Sequence, residues 1–386
     1  MPDMTEPKVA LVHDYLIQNG GAEATLAAIH DIFPQAPVYT TFFKKEAFPE
    51  SFSTWDIRET SITKFPFFKK LSKQYTFLYP LMFEELDLRE FDIVISSSSS
   101  WGKGVLTKPS QLHITYCHTP PRFLYKYKGE SSKRDAFYYK PFVMLIDSFL
   151  RVWDYSSAHR PDFIIANSKE VQRRIKKFYG RESEVIYPPV KLPQEVILTE
   201  DQQKFDTDYY LIVSRLAAYK NIEFVVEAFN KLNLPLRIAG EGKELDRLKS
   251  LVRGNIAFLG RVDDREKAIL YQNCKGVINS VEEEDFGIVP LEALSFGKPV
   301  LAHRSGGHLE TIIEGRSGMF FDSYETESLV ASIQAFNSSV MANSYDSTFM
   351  KSFASQFSEE AFKERLKTFV MQKWQGMVES RHAGAS

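Results

Sequence analysis

Cysteine is nearly absent from this chain. Cys117 and Cys274 are the only two, and neither belongs to a CxxC pair or a Cys/His cluster. That excludes thiolate metal spacing and reads as two buried thiols in a reducing compartment, without a disulfide. An excess of charge of either sign is missing as well: the formal net charge is -2 over 386 residues, so nucleic acid is not an expected partner. No stretch approaches the roughly 20 apolar residues that a membrane span needs. The opening "MPDMTEPKVALVHDYL" is acidic, with an apolar run of strand length only, unlike a signal peptide. The expectation is a cytoplasmic protein, with peripheral contact at the inner face of the plasma membrane left open. Internal repeats, low-complexity segments and a GxGxxG dinucleotide fingerprint are also lacking.

Aromatics, by contrast, are plentiful, with 31 Phe and 18 Tyr. In "KFPFFKKLSKQYTFLYPLMF", residues 64–83, lysines alternate with aromatic and aliphatic residues. One reading is a helical hairpin that buries its aromatics; the other is a basic, aromatic surface resting on anionic lipid. Elsewhere, short apolar runs end in small or polar residues and are followed by helical patterns: "KVALVHDY", "FDIVISSSS", "LHITYCH" and "DFIIANS". That alternation predicts an α/β fold with a parallel sheet, whose ligands bind at the carboxyl ends of the strands. The prolines of "VIYPPVKLPQEV" break the pattern, and Pro188 to Pro193 reads as a linker. Beyond it "YYLIVSRL", "LPLRIAGEG", "IAFLGRV", "KGVINS" and "PVLAHRSGG" restart the alternation. Two domains are therefore expected, 1–188 and 194–357, with a cleft between them. An amphipathic helix over 358–380, apolar at Phe362, Leu366, Phe369, Val370 and Trp374, is expected to pack back on the first domain. The tail "RHAGAS" reads as disordered.

The chemistry concentrates in "EEEDFGIVPLEALSFGKPV", residues 282–300. Pro290 suits the first turn of a helix, and Gly297 and Pro299 suit its end. Phe286 and Gly287 then precede the helix N-terminus, whose unpaired amides and dipole attract an anion such as diphosphate. Glu284 and Glu292 suggest a hydrolase pair. If all of 284–292 were helical they would lie roughly 12 Å apart along the axis, whereas glycosidase carboxylates sit roughly 5 to 9.5 Å apart. A division of labour fits better: one carboxylate for a sugar hydroxyl, one for a ribose, amides between them for phosphate. In "VSRLAAYKN", Arg215 and Lys220 stand at a strand end before a helix and supply cations for a leaving diphosphate. The Gly20–Gly21 turn would allow backbone to approach a phosphate, although any tight turn before a helix would use it.

With these residues in view, "EDFGIVPLE" resembles the Glu, seven residues, Glu motif of retaining glycosyltransferases of family 4. "VSRLAAYKN", "AGEG", "FLGRV" and "SGGHLETI" follow in that family's order, so the resemblance covers nearly the whole chain. It implies the GT-B fold, two facing Rossmann-like domains with an interdomain cleft, the first for acceptor and the second for a nucleotide-sugar donor. "YCHTPPRFLY" and "IIANSKEVQRRIKKFYGRESEVIYPPV" resemble the mannosyltransferase branch that builds O-antigen and related polysaccharides on a lipid carrier, which points to GDP-mannose; a UDP-sugar is the alternative donor. Carried over by motif, Arg215 and Lys220 hold the donor diphosphate and Glu284 the donor sugar. The amides of Phe286, Gly287, Ile288 and Val289 meet sugar and phosphates, and Glu292 binds the ribose. The backbone of Arg261 and Val262 faces the base, and His118 stands at the reaction centre. His13, also near a strand end, is open to either a core or a site role; His303 and His308 flank "RSGG", a loop resembling the family's donor-side loop, and have no metal-ligand spacing. Neither a metal nor a cofactor is implied. An epimerase or hydrolase on the same fold, or a non-catalytic binding subunit, are the rival classes.

Overall fold

The computed structural model describes residues 6–64, 75–125, 140–192 and 207–384. The chain forms two compact units, one from the chain up to Pro189 together with the segment from Glu360 onward, the other from Val190–Glu359.

The first unit is built on a parallel sheet of β1 (Val9–His13), β2 (Val38–Thr40), β3 (Ile57–Glu59), β4 (Ile93–Ser98), β5 (Leu112–Cys117), β6 (Phe163–Ala166) and β7 (Glu184–Val185). Their order across the sheet is β3-β2-β1-β4-β5-β6-β7. Every residue of β1, β4 and β5 is buried, as expected of central strands covered on both faces. Its helices are α1 (Gly21–Ile32), α2 (Tyr79–Glu84), α3 (Arg122–Tyr125), α4 (Lys140–Ser157) and α5 (Lys169–Tyr179). Local signals set the bounds of α5: the Ser168 side chain accepts from the Val171 amide, and Gly180, at φ 66°, ends the helix in the left-handed conformation.

The second unit repeats the plan with β8 (Tyr210–Val213), β9 (Leu236–Ala239), β10 (Ile256–Gly260), β11 (Gly276–Asn279), β12 (Val300–His303) and β13 (Gly318–Phe321). The order here is β10-β9-β8-β11-β12-β13. Its helices are α6 (Ile222–Leu232), α7 (Leu245–Leu251), α8 (Asp264–Asn273), α9 (Ile288–Ser295), α10 (His308–Thr311), α11 (Thr326–Met341) and α12 (Ser347–Ser355), and α13 (Glu359–Gly384) comes after them. Counted within each unit, both sheets contain the order 3-2-1-4-5-6, with β7 as a seventh, edge strand in the first; this is the doubly wound Rossmann order, whose ligand crevice opens where strand 1 meets strand 4. That point lies beside β1 and β4 in the first unit and beside β8 and β11 in the second.

Phe362, Leu366 and Val370 of α13 join the first unit's core with Leu11, Ile95 and Tyr116, and Phe369 and Trp374 pack at its edge. The Lys363 ammonium adds a 2.7 Å contact to Asp31. The helix continues through Arg381 to Gly384, which corrects the expectation of a disordered tail over those residues. Of the aromatic stretch 64–83, residues 65–74 lie outside the described residues. Its remainder forms a 3-10 turn, Tyr75–Leu78, and the short α2.

Candidate functional site

In the second unit the switch point gathers the basic and acidic residues of the two strand-end motifs. β8 hands over to a loop and a 3-10 turn, Ala218–Lys220, before α6. β11, its neighbour, hands over to the loop that carries Glu284. Strand adjacency thus brings together two residues 64 positions apart: the Lys220 ammonium lies 3.1 Å from Glu284 Oε2. Burial alone would lower the Lys220 pKa, but the Glu284 carboxylate outweighs it and holds the ammonium above its ordinary value. The Ser280 hydroxyl donates to the Lys220 carbonyl at 2.7 Å, which ties the two loops. Arg215 is exposed; its guanidinium donates to the Tyr219 hydroxyl at 2.9 Å, and Lys220 lies over the Tyr219 ring at 5.1 Å from the centroid. Tyr219 thus spaces two cations, a part that the sequence reading missed although the residue adjoins Lys220.

The Glu284 loop is braced from β12. The Gly307 amide donates to the Glu284 carbonyl at 2.8 Å and Ser305 Oγ accepts from the Glu283 amide at 2.9 Å. A Cβ at Gly306 would fall 2.4 Å from the Glu284 carbonyl oxygen, and one at Gly307 would fall 2.2 Å from that of Phe286. This explains the glycine pair of "RSGG". Gly287, at φ 104°, is the N-cap of α9, and no side chain caps that helix, so backbone amides head it. Ile288 and Val289 open the helix, while the Phe286 side chain is buried against Phe357 with ring centroids 5.7 Å apart.

Glu292 is inside α9, and the helix starts only at Ile288, so the all-helical spacing does not apply to Glu284. The two glutamates face different partners. Glu292 meets the Lys267 ammonium at 2.8 Å and the Tyr271 hydroxyl at 2.7 Å, both from α8. Burial, followed by the Glu292 charge, pushes the Tyr271 hydroxyl well above its usual range. Lys267 and Tyr271 stand one helical turn apart, a spacing that could have flagged them. Arg261 and Val262 follow β10 and line neither ion pair. His303 stacks on Tyr324 at 5.0 Å. Burial drives the His308 imidazole down to about 4, and its Nδ1 donates to the His303 carbonyl at 2.9 Å.

The first unit's switch point is built from hydrogen bonds between buried groups. His118, immediately after β5, places Nε2 2.8 Å from Ser97 Oγ of β4. The same hydroxyl lies 3.3 Å from His13 Nδ1 of β1. Asp14 is fully enclosed and accepts from the Ser98 hydroxyl and from the amides of Ser99, Ser100, Trp101 and Gly102. Gly20 is the N-cap of α1 with φ -139°, an extended conformation open to any residue. Its amide donates to Glu23 Oε2 at 2.9 Å. Gly20 and Gly21 therefore head a helix whose own carboxylate occupies the Gly20 amide. Cys117 and Cys274 are both free and buried.

Comparison with known proteins agrees with this architecture. Residues 20–193 match the model described as Glycosyltransferase Family 4, and 197–344 match Glycosyl transferases group 1. The chain is 28% identical over 278 residues to a protein named Alpha-1,3/1,6-mannosyltransferase ALG2 of Kluyveromyces lactis, covering 59% of this chain and 53% of that one. It is 25% identical over 235 residues to the O-antigen chain mannosyltransferase C of Escherichia coli, covering 57% and 61%. The chain spans about half the length of the first of these relatives. Among solved structures it resembles the sucrose-phosphate synthase of Thermosynechococcus elongatus, at TM-score 0.75 and 16% identity, covering 96% of this chain and 100% of that one. It also resembles Anabaena Alr3699/HepE in complex with UDP and glucose, at TM-score 0.67 and 18% identity, covering 95% and 100%. With two Rossmann-ordered sheets and the two family models in sequence along it, the chain belongs to the family 4 glycosyltransferases of GT-B fold.

Proposed function

We propose that this chain is a retaining mannosyltransferase that moves mannose from GDP-mannose to a lipid-linked saccharide without needing a metal ion. The observation that carries the donor side is the Lys220–Glu284 pair beside the Gly287-capped helix. A diphosphate takes the cations of Lys220 and Arg215 and the amides that follow Phe286, and Glu284 accepts from a sugar hydroxyl. Glu292 takes the ribose with the oxygen capacity left beside Lys267 and Tyr271, and the backbone of Arg261 and Val262 faces the base. The names of the relatives support mannose. In the transfer step the anomeric carbon–phosphate bond breaks while the acceptor oxygen bonds on the same face. The acceptor proton goes to the departing diphosphate oxygen, whose charge Arg215 and Lys220 stabilise.

Support for a lipid-linked acceptor comes from α4. Leu145, Phe149 and Val152, one turn apart in succession, are 68 to 71% exposed, and the helix's two carboxylates, Asp147 and Asp154, are buried. The flanking sequence 126–140 carries five Lys or Arg against two acidic residues, in a chain of net charge -2. An apolar face free of carboxylates, next to a basic segment, suits an anionic lipid surface. Among the described residues no helix is long and apolar enough to cross a membrane.

The test is thermal stabilisation by GDP-, UDP-, ADP- and dTDP-sugars with EDTA present. GDP-mannose at about 100 times its Kd adds about 2.7 kcal/mol of stability. A shift with UDP-sugars alone overturns the donor and keeps the class, and a shift that needs added metal overturns metal independence. Cosedimentation with anionic vesicles that is retained after Phe149→Ser and Val152→Ser removes the lipid assignment.

A further inference from the structure

A buried nitrogen without a donor stands beside the head of α9. His308 opens α10 and is 0% exposed. Its Nδ1 lies 2.9 Å from the His303 carbonyl. A carbonyl only accepts, so the one ring proton of the neutral imidazole sits on Nδ1. Nε2 is left as a bare lone pair, and among the described residues no hydrogen-bond partner reaches it. Burial keeps the ring neutral by lowering its pKa to about 4; the Glu284 charge opposes this and the Lys220 charge adds to it, so both members of that ion pair act on the ring. The glycine of the α9 turn fixes the direction. Cδ2, the carbon bonded to Nε2, would lie 3.6 Å from a Cβ placed on Gly287, so the Nε2 edge of the imidazole faces the N-cap of α9. Three features therefore meet here: a helix start that no side chain caps, the Lys220–Glu284 pair at 3.1 Å, and an unsatisfied acceptor.

A buried acceptor without a donor is costly and rare, and this one asks for a partner that arrives from outside the chain. Chemistry narrows the partner. An ionised phosphate oxygen has no proton to give to a lone pair. A metal ion would take the nitrogen, but among the described residues no three His, Cys, Asp or Glu side chains gather to hold one. An ammonium donates but cannot accept from the amides that head α9. A hydroxyl does both, giving its proton to Nε2 and its lone pairs to an amide. We infer that His308 is a further ligand-reading residue of the second unit, whose Nε2 accepts from a hydroxyl of the ligand that parts Lys220 from Glu284. That this hydroxyl belongs to the transferred sugar rests on the function proposed above; the unpaired nitrogen and its place beside Gly287 rest on the geometry.

The experiment compares GDP and GDP-mannose binding to the full chain, by calorimetric titration at pH 7, in the parent, His308→Leu and His308→Gln. His308→Leu removes the acceptor, and the His303 carbonyl keeps the Ser305 amide at 2.8 Å. His308→Gln returns an acceptor oxygen at about the reach of Nε2. His308→Leu is expected to weaken GDP-mannose about tenfold and GDP less than twofold, while His308→Gln keeps both within about threefold. Equal weakening of the two nucleotides, or of neither, overturns the inference. If His308→Leu does not fold, ring-nitrogen NMR on the parent with labelled histidine decides, its signals assigned with His308→Gln. The Nε2 signal of His308 is expected to move with GDP-mannose and to stay in place with GDP; the same response to both overturns the inference. If the parent binds a UDP-sugar and not GDP-mannose, the proposed donor fails while the comparison of that UDP-sugar with UDP still decides the role of His308. A parent that binds neither kind of sugar nucleotide overturns both.

Discussion

Two parallel sheets of the same strand order end in opposite chemistry. At the switch point of the first, Asp14, Ser97, His13 and His118 are buried and bound to one another or to backbone. At the switch point of the second, the charges are reachable: Arg215 is exposed, and the Lys220 and Glu284 side chains keep 18% and 21% of their surface. A buried polar group without a partner is costly, so the first unit's groups satisfy each other and hold a geometry. An ion pair that keeps about a fifth of its side-chain surface has its charge available to an incoming anion. Topology decides where a site forms, and burial decides whether its groups serve the fold or a ligand.

The largest expected effect probes the second unit. Lys220→Ala removes the cation beside Glu284 and is expected to lower kcat/KM about 10³-fold, ~4 kcal/mol of transition-state stabilisation. Because the pair is partly exposed, Tm is expected to move by less than about 4 °C. Initial rates and a melting curve on the same preparation check both halves. A large fall in Tm with an unchanged rate would make Lys220 a residue of the fold.

Asp14 should behave in the opposite way. Its carboxylate is the acceptor for four backbone amides and one hydroxyl, so Asp14→Ala leaves buried donors without a partner and is expected to cost about 3 kcal/mol or more. Burial alone would raise its pKa. The His13 charge and the hydrogen bonds from Gly102, Ser98 and Ser99 outweigh that and hold it below its ordinary 3.8. A depressed folded-state pKa contributes stability that is present above 3.8 and is lost as pH falls through the folded value. The deficit of Asp14→Ala in urea unfolding is therefore expected to narrow as pH falls below 3.8. A deficit that does not narrow there would contradict this assignment.

How much of this could be read in advance differs between the units. Apolar runs ending in polar residues disclosed both sheets, because central parallel strands must be apolar on both faces. "EDFGIVPLE" and "VSRLAAYKN" disclosed Glu284 and Lys220, but the contact between them needs β8 beside β11, a long-range fact. Ser97 stands in a run of five serines, Ser96 to Ser100, where nothing local separates a hydroxyl between two imidazoles from one bound to backbone. The contact of Glu23 to His13 closes across the β1–α1 turn, so nothing in the local helical pattern marks it. The partners of Glu292 were missed because the motif does not contain them: they face it as an i, i+4 pair from α8. The exposed face of α4 was hidden for a related reason: an apolar helical pattern does not say which side finds a neighbour.

The smallest effect sets two helix-capping glycines against each other. Gly287 caps α9 at φ 104°, and a Cβ there would lie 3.0 Å from Thr311 Oγ1. Gly287→Ala therefore forces a side chain into a conformation that costs about 1–3 kcal/mol, and it is expected to lower both Tm and the affinity for the sugar nucleotide, because the amides heading α9 shift with it. Gly20 caps α1 at φ -139°, and its nearest neighbour is the far end of the Glu23 side chain at 3.1 Å, which can give way. Gly20→Ala is expected to change stability by less than about 1 kcal/mol and to leave nucleotide affinity within twofold, as read by thermal melts with and without GDP-mannose. Equal losses in the two variants would mean that the first unit's glycine turn also approaches the donor closely. A loss confined to Gly287→Ala would assign the phosphate to the one glycine whose backbone conformation the fold cannot obtain from another residue.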